Sequence, residues 1–533
     1  MIRLLITSFV LLLLPSLRSQ DVFEYTVALQ PVQISGLPGL HSFAFAQHDG
    51  KWLVIGGRKD GIHARQPFNA FPASDNNTDI YVIDIEAKEI WASTLNLLPD
   101  GLREQLQSTN MNFFQDQDTL YIIGGYAYSE KEGDHITFPF LTSVQVSGLM
   151  EDIIHGKDIG SRFRQISDTA FAVTGGHLGK IDDTYYLVGG QRFDGRYNPM
   201  GHPTFIQAYT NQIRKFNLDN SGDQLHFSNY TTLTDPVHLR RRDYNLLPQI
   251  YPDGQRGYMI SSGVFQLLAD VPFLYPVEIT ETGYRPVTQF NQYLSHYHSA
   301  FACLYDSVSN QMHNLFFGGM SQYYYKNGTL IEDQQVPFVN TISRVTRYAD
   351  GALQEFQLPV QMPGLQGAGA EFIPNHSLPH DDSEIFKLDH FNADTLLIGY
   401  ILGGLASPVL NPFSNNESSL TYASNTIYAV RLVRNIPSGI NRIDGQNPFD
   451  FTIFPNPTDK EIEVQFDLPK KANVFFMVSN SSGQLLAQGT IEGIHKGENH
   501  FSITLDQAMS AQMHYLTLVF DDIFFVSKGL LRQ

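Results

Sequence analysis

The chain has 533 residues, of which 12% are aromatic and 17% charged, with 42 glycines and 27 prolines; this composition suits many short strands and turns better than long helices. A formal net charge of −19 argues against nucleic acid or an anionic membrane as the main partner. The length allows a large core and more than one domain.

Residues 1–19 carry Arg3, an apolar run through Leu14, then Pro15 and small residues ending at Ser19. This is the pattern of a secretory signal peptide. The run is shorter than the roughly 18 apolar residues of a membrane span, and no other segment approaches that length, so no transmembrane segment is expected. Cys303 is the only cysteine; an exported chain of this kind folds without an internal disulfide and depends on packing.

A short apolar run ending in a glycine pair recurs along the next 400 or so residues. It reads KWLVIGG at 51–57, TLYIIGG at 119–125, TYYLVGG at 184–190, HNLFFGG at 313–319 and LIGYILGG at 397–404, with GYMISSG at 257–263 as a degenerate copy. The spacing leaves room for one small sheet plus loops per copy, as in a solenoid or propeller. In the first repeat, 41–48 alternates apolar and polar residues, Asp49-Gly50 makes a tight turn, and 51–57 returns; a long loop then leads to a second hairpin, 79–85 and 89–95. Two hairpins make a four-stranded sheet. First strands are expected again at 109–114, 168–174, 243–250, 298–305 and 367–373, and third strands at 141–146, 211–216, 273–279, 340–346 and 425–431. Six such sheets, each with two edges and two apolar faces, pack most economically around an axis. The glycine pair permits a bulge and close backbone approach where sheets crowd together.

The glycine pairs, Tyr81, Asp84 and Trp91 of the first repeat, and the histidines of His41-Ser42 and His298-Ser299 resemble the Kelch family of β-propellers over residues 21–434. The fold expected is therefore all-β, a six-bladed Kelch-type propeller followed by a smaller domain. The sixth repeat lacks a fourth strand. Residues 23–34 (FEYTVALQPVQI) alternate like a strand and are predicted to fill that place and close the ring.

Residues 435–449 are linker-like in Pro, Gly and Asn. From 450 to 533 the pattern changes to strands and turns without the glycine grammar, as in a small β-sandwich. Its FPNP opening at Phe454, the Ser482-Gly483 turn followed by Leu485, and a basic residue near the end resemble the type A C-terminal sorting domain of Bacteroidetes type IX secretion cargo. That resemblance implies the type IX machinery as partner, and a secreted or cell-surface location after export to the periplasm.

If strands alternate in direction, the loops after the glycine pairs emerge on one face. They are long at 58–77, 126–140, 191–210, 320–337 and 405–424. They gather Arg58, His63, Arg65, Tyr126, Tyr128, His135, Arg192, Arg196, Tyr197, His202, Tyr323, Tyr324 and Tyr325, and Arg240, Arg241 and Arg242 enter the fourth repeat on the same side. Guanidinium forks suit carboxylate or sulfate and aromatic faces suit sugar rings. The candidate ligand-binding set is therefore Arg58, His63, Arg65, Tyr126, Arg192, Arg196, Tyr197, Arg240, Arg241, Arg242 and Tyr323, serving a binding module for an acidic glycan or protein partner. Arginines at strand ends also cap carbonyls or pair with carboxylates, so each has a structural alternative. An enzyme is the other class. Kelch-like sialic-acid mutarotases or epimerases use Arg, Glu and His without metal, and copper radical oxidases need a cysteine cross-linked to tyrosine, for which Cys303 is the one candidate. No catalytic residue is assigned and no cofactor is expected. No tight His or carboxylate cluster has metal-ligand spacing, and His296-Tyr297-His298 alone is a weak metal signal.

Overall fold

The structure is a computed structural model describing residues 23–198, 204–434, 440–505 and 509–533. The signal peptide expected at 1–19, and His202, lie outside these residues. Strands dominate, and two short helices, Asp100–Leu106 and Val146–Ile154, are the additions that strand periodicity does not announce.

The first repeat folds as its alternation dictates. Ala44–His48 and Lys51–Ile55 pair antiparallel around Asp49 and Gly50, both at positive φ (47° and 73°), the backbone that a two-residue hairpin turn requires. Asp79–Asp84 and Glu89–Thr94 complete the sheet. Alternate residues then serve opposite neighbours: Leu53, Ile55, Ile80 and Val82 join a core with Leu120 and Ile122 of the second sheet. Trp52, Val54 and Ile83 join Ile373, Leu402 and Ile427 of the sixth. The other gaps between successive sheets hold their own cores, around Tyr121 and Leu187, Tyr186 and Ile260, Met259 and Phe316, and Leu315 and Ile401. Each sheet is thus apolar on both faces because both faces are covered, in a β-propeller-like arrangement.

The sixth sheet runs Leu365–Pro374, Thr395–Ser407, Ile427–Arg434. Its outer strand is Tyr25–Val32, paired from Tyr25↔Arg434 to Val32↔Ile427, so the first described strand fastens to the last strand of the ring. Phe23, Tyr25 and Val27 are buried in the core shared with the fifth sheet.

The glycine pairs have a specific task. Both residues of each pair are at positive φ, and the second donates its N–H to a carbonyl at or shortly before the first strand of the next sheet: Gly57 to Ser108, Gly125 to Val173, Gly190 to Arg241, Gly263 to His296, Gly319 to Gln366 and Gly404 to Leu40, at 2.8 to 3.2 Å. A Cβ on Gly124 would stand 1.8 Å from the Val173 carbonyl oxygen. The degenerate fourth copy keeps the geometry with Ser262 at φ 60°, whose hydroxyl donates to the Phe273 carbonyl at 2.7 Å.

One expected strand is corrected. Residues 168–174 hold a 3-10 turn, Thr169–Phe171, capped by the Asp168 carboxylate, and the first strand of the third sheet is His177–Ile181. Its HLGKI sequence has a glycine at the centre, because the Tyr258 ring occupies the place of a Cβ on Gly179, and this weakens the strand pattern.

The 435–449 segment also does more than link. Asn441–Ile443 adds to the outer edge of the fifth sheet, and the Asn447 amide donates to the carbonyls of Thr288 and Phe525 at 2.9 and 2.8 Å. Beyond it, a three-stranded and a four-stranded sheet enclose a core of Ile462, Val464, Phe466, Leu516 and Leu518. Met477, Val519 and Phe525 of this unit share a core with Phe273 and Tyr275, which lead into the third strand of the fourth sheet, Val277–Thr280.

Candidate functional site

The residues entering the six first strands make a second closed circuit of backbone hydrogen bonds. Ser42 donates to Gly369, Gly369 to His298, His298 to Asp243, Asp243 to Gly175, Gly175 to Asn110 and Asn110 to Ser42, at 2.8 to 3.1 Å. These six residues floor a cavity of ≈650 Å³, and the long loops after the glycine pairs wall it. Its size lies within the ~300–1,000 Å³ common for small-molecule sites. Beneath the ring the axial channel is nearly filled, with ≈20 Å³ left beside His177 and Glu371.

One wall is aromatic. His63 stacks on Phe71 with centroids 4.8 Å apart and meets Tyr197 and Phe413 edge-on at 4.7 and 5.1 Å. Phe193 stacks on Phe205 at 4.7 Å, both also lining the cavity. Burial, with the charges of Arg242 and Arg58 adding to it, pushes the His63 imidazole down to about 4. At neutral pH it is therefore an uncharged ring within an aromatic belt.

The two cavity arginines are already engaged. Arg58 grips Asp60 with both arms, Nε to Oδ1 at 2.8 Å and Nη2 to Oδ2 at 2.7 Å, and donates from Nη1 to Asn76 at 2.7 Å. Burial works to raise the Asp60 carboxyl, but the neighbouring His41 and the hydrogen bonds and charge of Arg58 outweigh it and hold Asp60 at about 2. Arg242 donates to the Asp243 carboxylate and to the Tyr209 hydroxyl at 3.2 Å. The fork pairs that the sequence offers for an external carboxylate are thus closed on internal ones. The sequon at Asn76-Asn77-Thr78 is likewise structural: Asn76 and Asn77 are buried, Asn76 holding Arg58 and Asn77 bonding the carbonyls of Gly56 and Asp79.

Of the sequence-derived set, Arg58, His63, Tyr126, Tyr197 and Arg242 line the cavity. The others do not. Arg65 bonds the Ser414 carbonyl at 2.9 Å and lies over Phe413, and Arg192 pairs with Asp194 at 2.6 Å on the surface. Arg196 donates to the Ala70 carbonyl at 3.0 Å, and Arg240 stacks 3.8 Å over Tyr209. Arg241 is fully buried, bonding the carbonyls of His238, Ser262 and Tyr275; three adjacent arginines in one strand entry point in different directions, and only Arg242 faces the cavity. Tyr323 packs on Tyr293 at 4.9 Å. The phenylalanines of the belt escape the sequence reading because Phe71 and Phe413 stand in loops, where a phenylalanine carries no periodic signal, and Phe193 and Phe205 stand on a short hairpin, Gln191–Gly195 and Phe205–Tyr209, inside a segment read as a loop; their clustering in otherwise polar stretches is the available clue.

Two titratable pairs flank the ring. His41 lies 3.7 Å from Asp60, and His298 lies 3.2 Å from Glu371. Burial works to lower His298, but Glu371 and Asp243 outweigh it and raise its pKa. Cys303 lies away from the cavity. It is buried among Met259, Met312 and Phe316, its thiol donates to Asn314 at 3.3 Å, and burial raises its pKa. Among the described residues no helix is long and apolar enough to cross a membrane.

No protein-family model and no curated protein matches the chain. Solved structures do. The structure of YjhT aligns with TM-score 0.41 and 10% identity over 77% of this chain and 99% of that chain. A fungal alcohol oxidase of the AA5 family, in complex with copper, aligns with TM-score 0.36 and 10% identity over 96% of this chain and all of that chain, 100%.

Proposed function

We propose that the chain is an exported six-bladed Kelch-type propeller that binds a carbohydrate in the cavity above its backbone ring. The observation that carries this reading is the belt of Phe71, Tyr197, Phe193, Phe205 and Phe413 with neutral His63: apolar ring faces on one side, and polar floor and wall groups on the other, match the two-sided character of a sugar ring. Because Arg58 and Arg242 are occupied by Asp60 and Asp243, the acidic glycan expected from arginine count alone gives way to sugars without a required carboxylate. A glycan array with the mature protein tests this directly. Binding is expected, and Tyr197→Ala is expected to weaken it roughly ten-fold; an array without hits, or hits indifferent to Tyr197→Ala, rejects the reading.

The 450–533 unit is read as a type IX sorting domain, supported by its FPNP opening, the Ser482-Gly483 turn and its two-sheet form. Deleting it in a bacterium that has this secretion route is expected to leave the propeller in the periplasm. Release of the truncated protein to the medium would refute that assignment.

The His298–Glu371 pair at the cavity floor favours a second reading, metal-free epimerisation or anomerisation of the bound sugar, with His298 moving the proton. NMR exchange of the anomers of an array hit, lost in His298→Gln with binding retained, would establish it. The copper radical alternative loses its cysteine, since Cys303 is packed inside the sheet stack.

A further inference from the structure

The end of the propeller opposite the cavity carries a cluster with different chemistry. The turn between the first two strands of the sixth sheet, Leu365–Pro374 and Thr395–Ser407, contains His376, His380 and Glu384, spaced four residues apart. One ligand-capable atom from each lies within 4.8 Å of the others. His376 Nε2 is 2.7 Å from Glu384 Oε2, and the two imidazoles are stacked with centroids 4.8 Å apart. The spacing escapes a search for metal motifs because those place histidines on a helix face or flank short knuckles; here the backbone of the turn does the gathering.

The site is arranged beyond mere proximity. His380 Nδ1 contacts the Leu378 carbonyl at 2.8 Å. A carbonyl only accepts, so Nδ1 carries the proton and Nε2 presents its lone pair, the second-layer arrangement that orients metal-bound histidines. Glu384 is held at φ +63°, its N–H bonded to the Asp381 carbonyl at 3.1 Å. The Asp381 carboxylate is spent on Ser383 N, Ile385 N and Arg256, which fixes the turn and removes Asp381 from the donor set. His376 and Glu384 are exposed and His380 half-buried, so a fourth position opens to solvent.

We propose that His376, His380 and Glu384 bind one divalent transition cation, with zinc the best match, leaving one coordination position for water or an incoming ligand. Two imidazole nitrogens and a carboxylate oxygen form a donor set that zinc takes in sites with an open position. Bonds of about 2.0–2.1 Å place tetrahedral ligand atoms about 3.4 Å apart, so the 2.7 Å His376–Glu384 contact opens slightly and the others, within 4.8 Å, draw in by up to about 1.4 Å.

The test is a cobalt and zinc titration of the full mature chain stripped with chelator. One equivalent of Co²⁺ is expected to give visible absorption of a low-coordinate site, displaced by Zn²⁺, and Zn²⁺ is expected to raise Tm. In His380→Gln and in Glu384→Gln, saturation is expected to need roughly ten-fold more metal or worse; the metal-free Tm of each should stay near that of the parent, since Glu384 is exposed and half-buried His380 lies outside the apolar cores. Absence of a cobalt signal in the parent, or an equal signal in both variants, which would put the metal on other histidines, overturns the proposal.

Discussion

A methyl group on Gly124 would meet the Val173 carbonyl at 1.8 Å in a backbone at φ +67°, whereas one on Gly254, at φ +85°, would meet nothing within 4 Å. The pair separates the two costs of adding a side chain. Gly254→Ala is expected to lose about 1 kcal/mol, the left-handed conformation alone, and Gly124→Ala more than about 2 kcal/mol, because the contact between second and third sheets must also give. Denaturant unfolding of the two variants checks the order; equal losses would mean that the glycine pairs are turns and nothing more. This residue-scale demand was legible in the sequence because a backbone that excludes Cβ leaves a glycine pair at the same place in five repeats, and the second glycine of the pair in all six. The state of the arginines was not legible. Whether Arg58 is free depends on Asp60 and Asn76 turning inward, and neither the loop's length nor its composition says so.

At the scale of elements, Tyr25–Val32 contributes a full edge of hydrogen bonds to the sixth sheet and places Tyr25 and Val27 in its core. Removing residues 23–34 is expected to lower Tm by many degrees or prevent folding, and Val27→Ala to cost about 2 kcal/mol. A deletion variant melting with the parent would show that the ring closes without this strand. Alternation and the unfilled fourth position made the strand readable. His177–Ile181 escaped because Gly179 and Lys180 interrupt its apolar pattern, and Gly179 is there for the Tyr258 ring, a contact 79 residues away in the chain. The helix Val146–Ile154 escaped for a related reason: its Leu149, Met150 and Ile153 fill the core between the first and second sheets, and tertiary packing rather than a long periodic run sustains it.

For the whole molecule, buried titratable groups set a pH range of stability. Burial lowers His296 to about 4, and burial with the nearby His298 lowers His177 to about 3. The unfolded chain therefore binds protons that the folded one refuses, and stability falls as pH drops below about 6.5. Glu355, wholly buried and accepting the N–H groups of Tyr293 and Leu294, is raised by burial to about 8. Its folded form keeps a proton that the unfolded form loses above about 4.5, so its contribution declines as pH rises toward 8. His298, also raised, adds to that decline. Tm is thus expected to peak near pH 6.5 and fall on both sides, each group contributing up to about 1.4 kcal/mol per pH unit in its window; a monotonic profile from pH 4.5 to 8 would contradict this balance. The central claim, that a sugar lies against the aromatic belt above the backbone ring, is tested most directly by hydrogen–deuterium exchange of the mature protein with and without the strongest glycan from the array. Protection is expected in segments 58–77 and 405–424, which carry His63, Phe71 and Phe413, with none in the turn at 375–385 on the opposite end. Protection confined to that turn or to 450–533, with the belt segments unchanged, would contradict it.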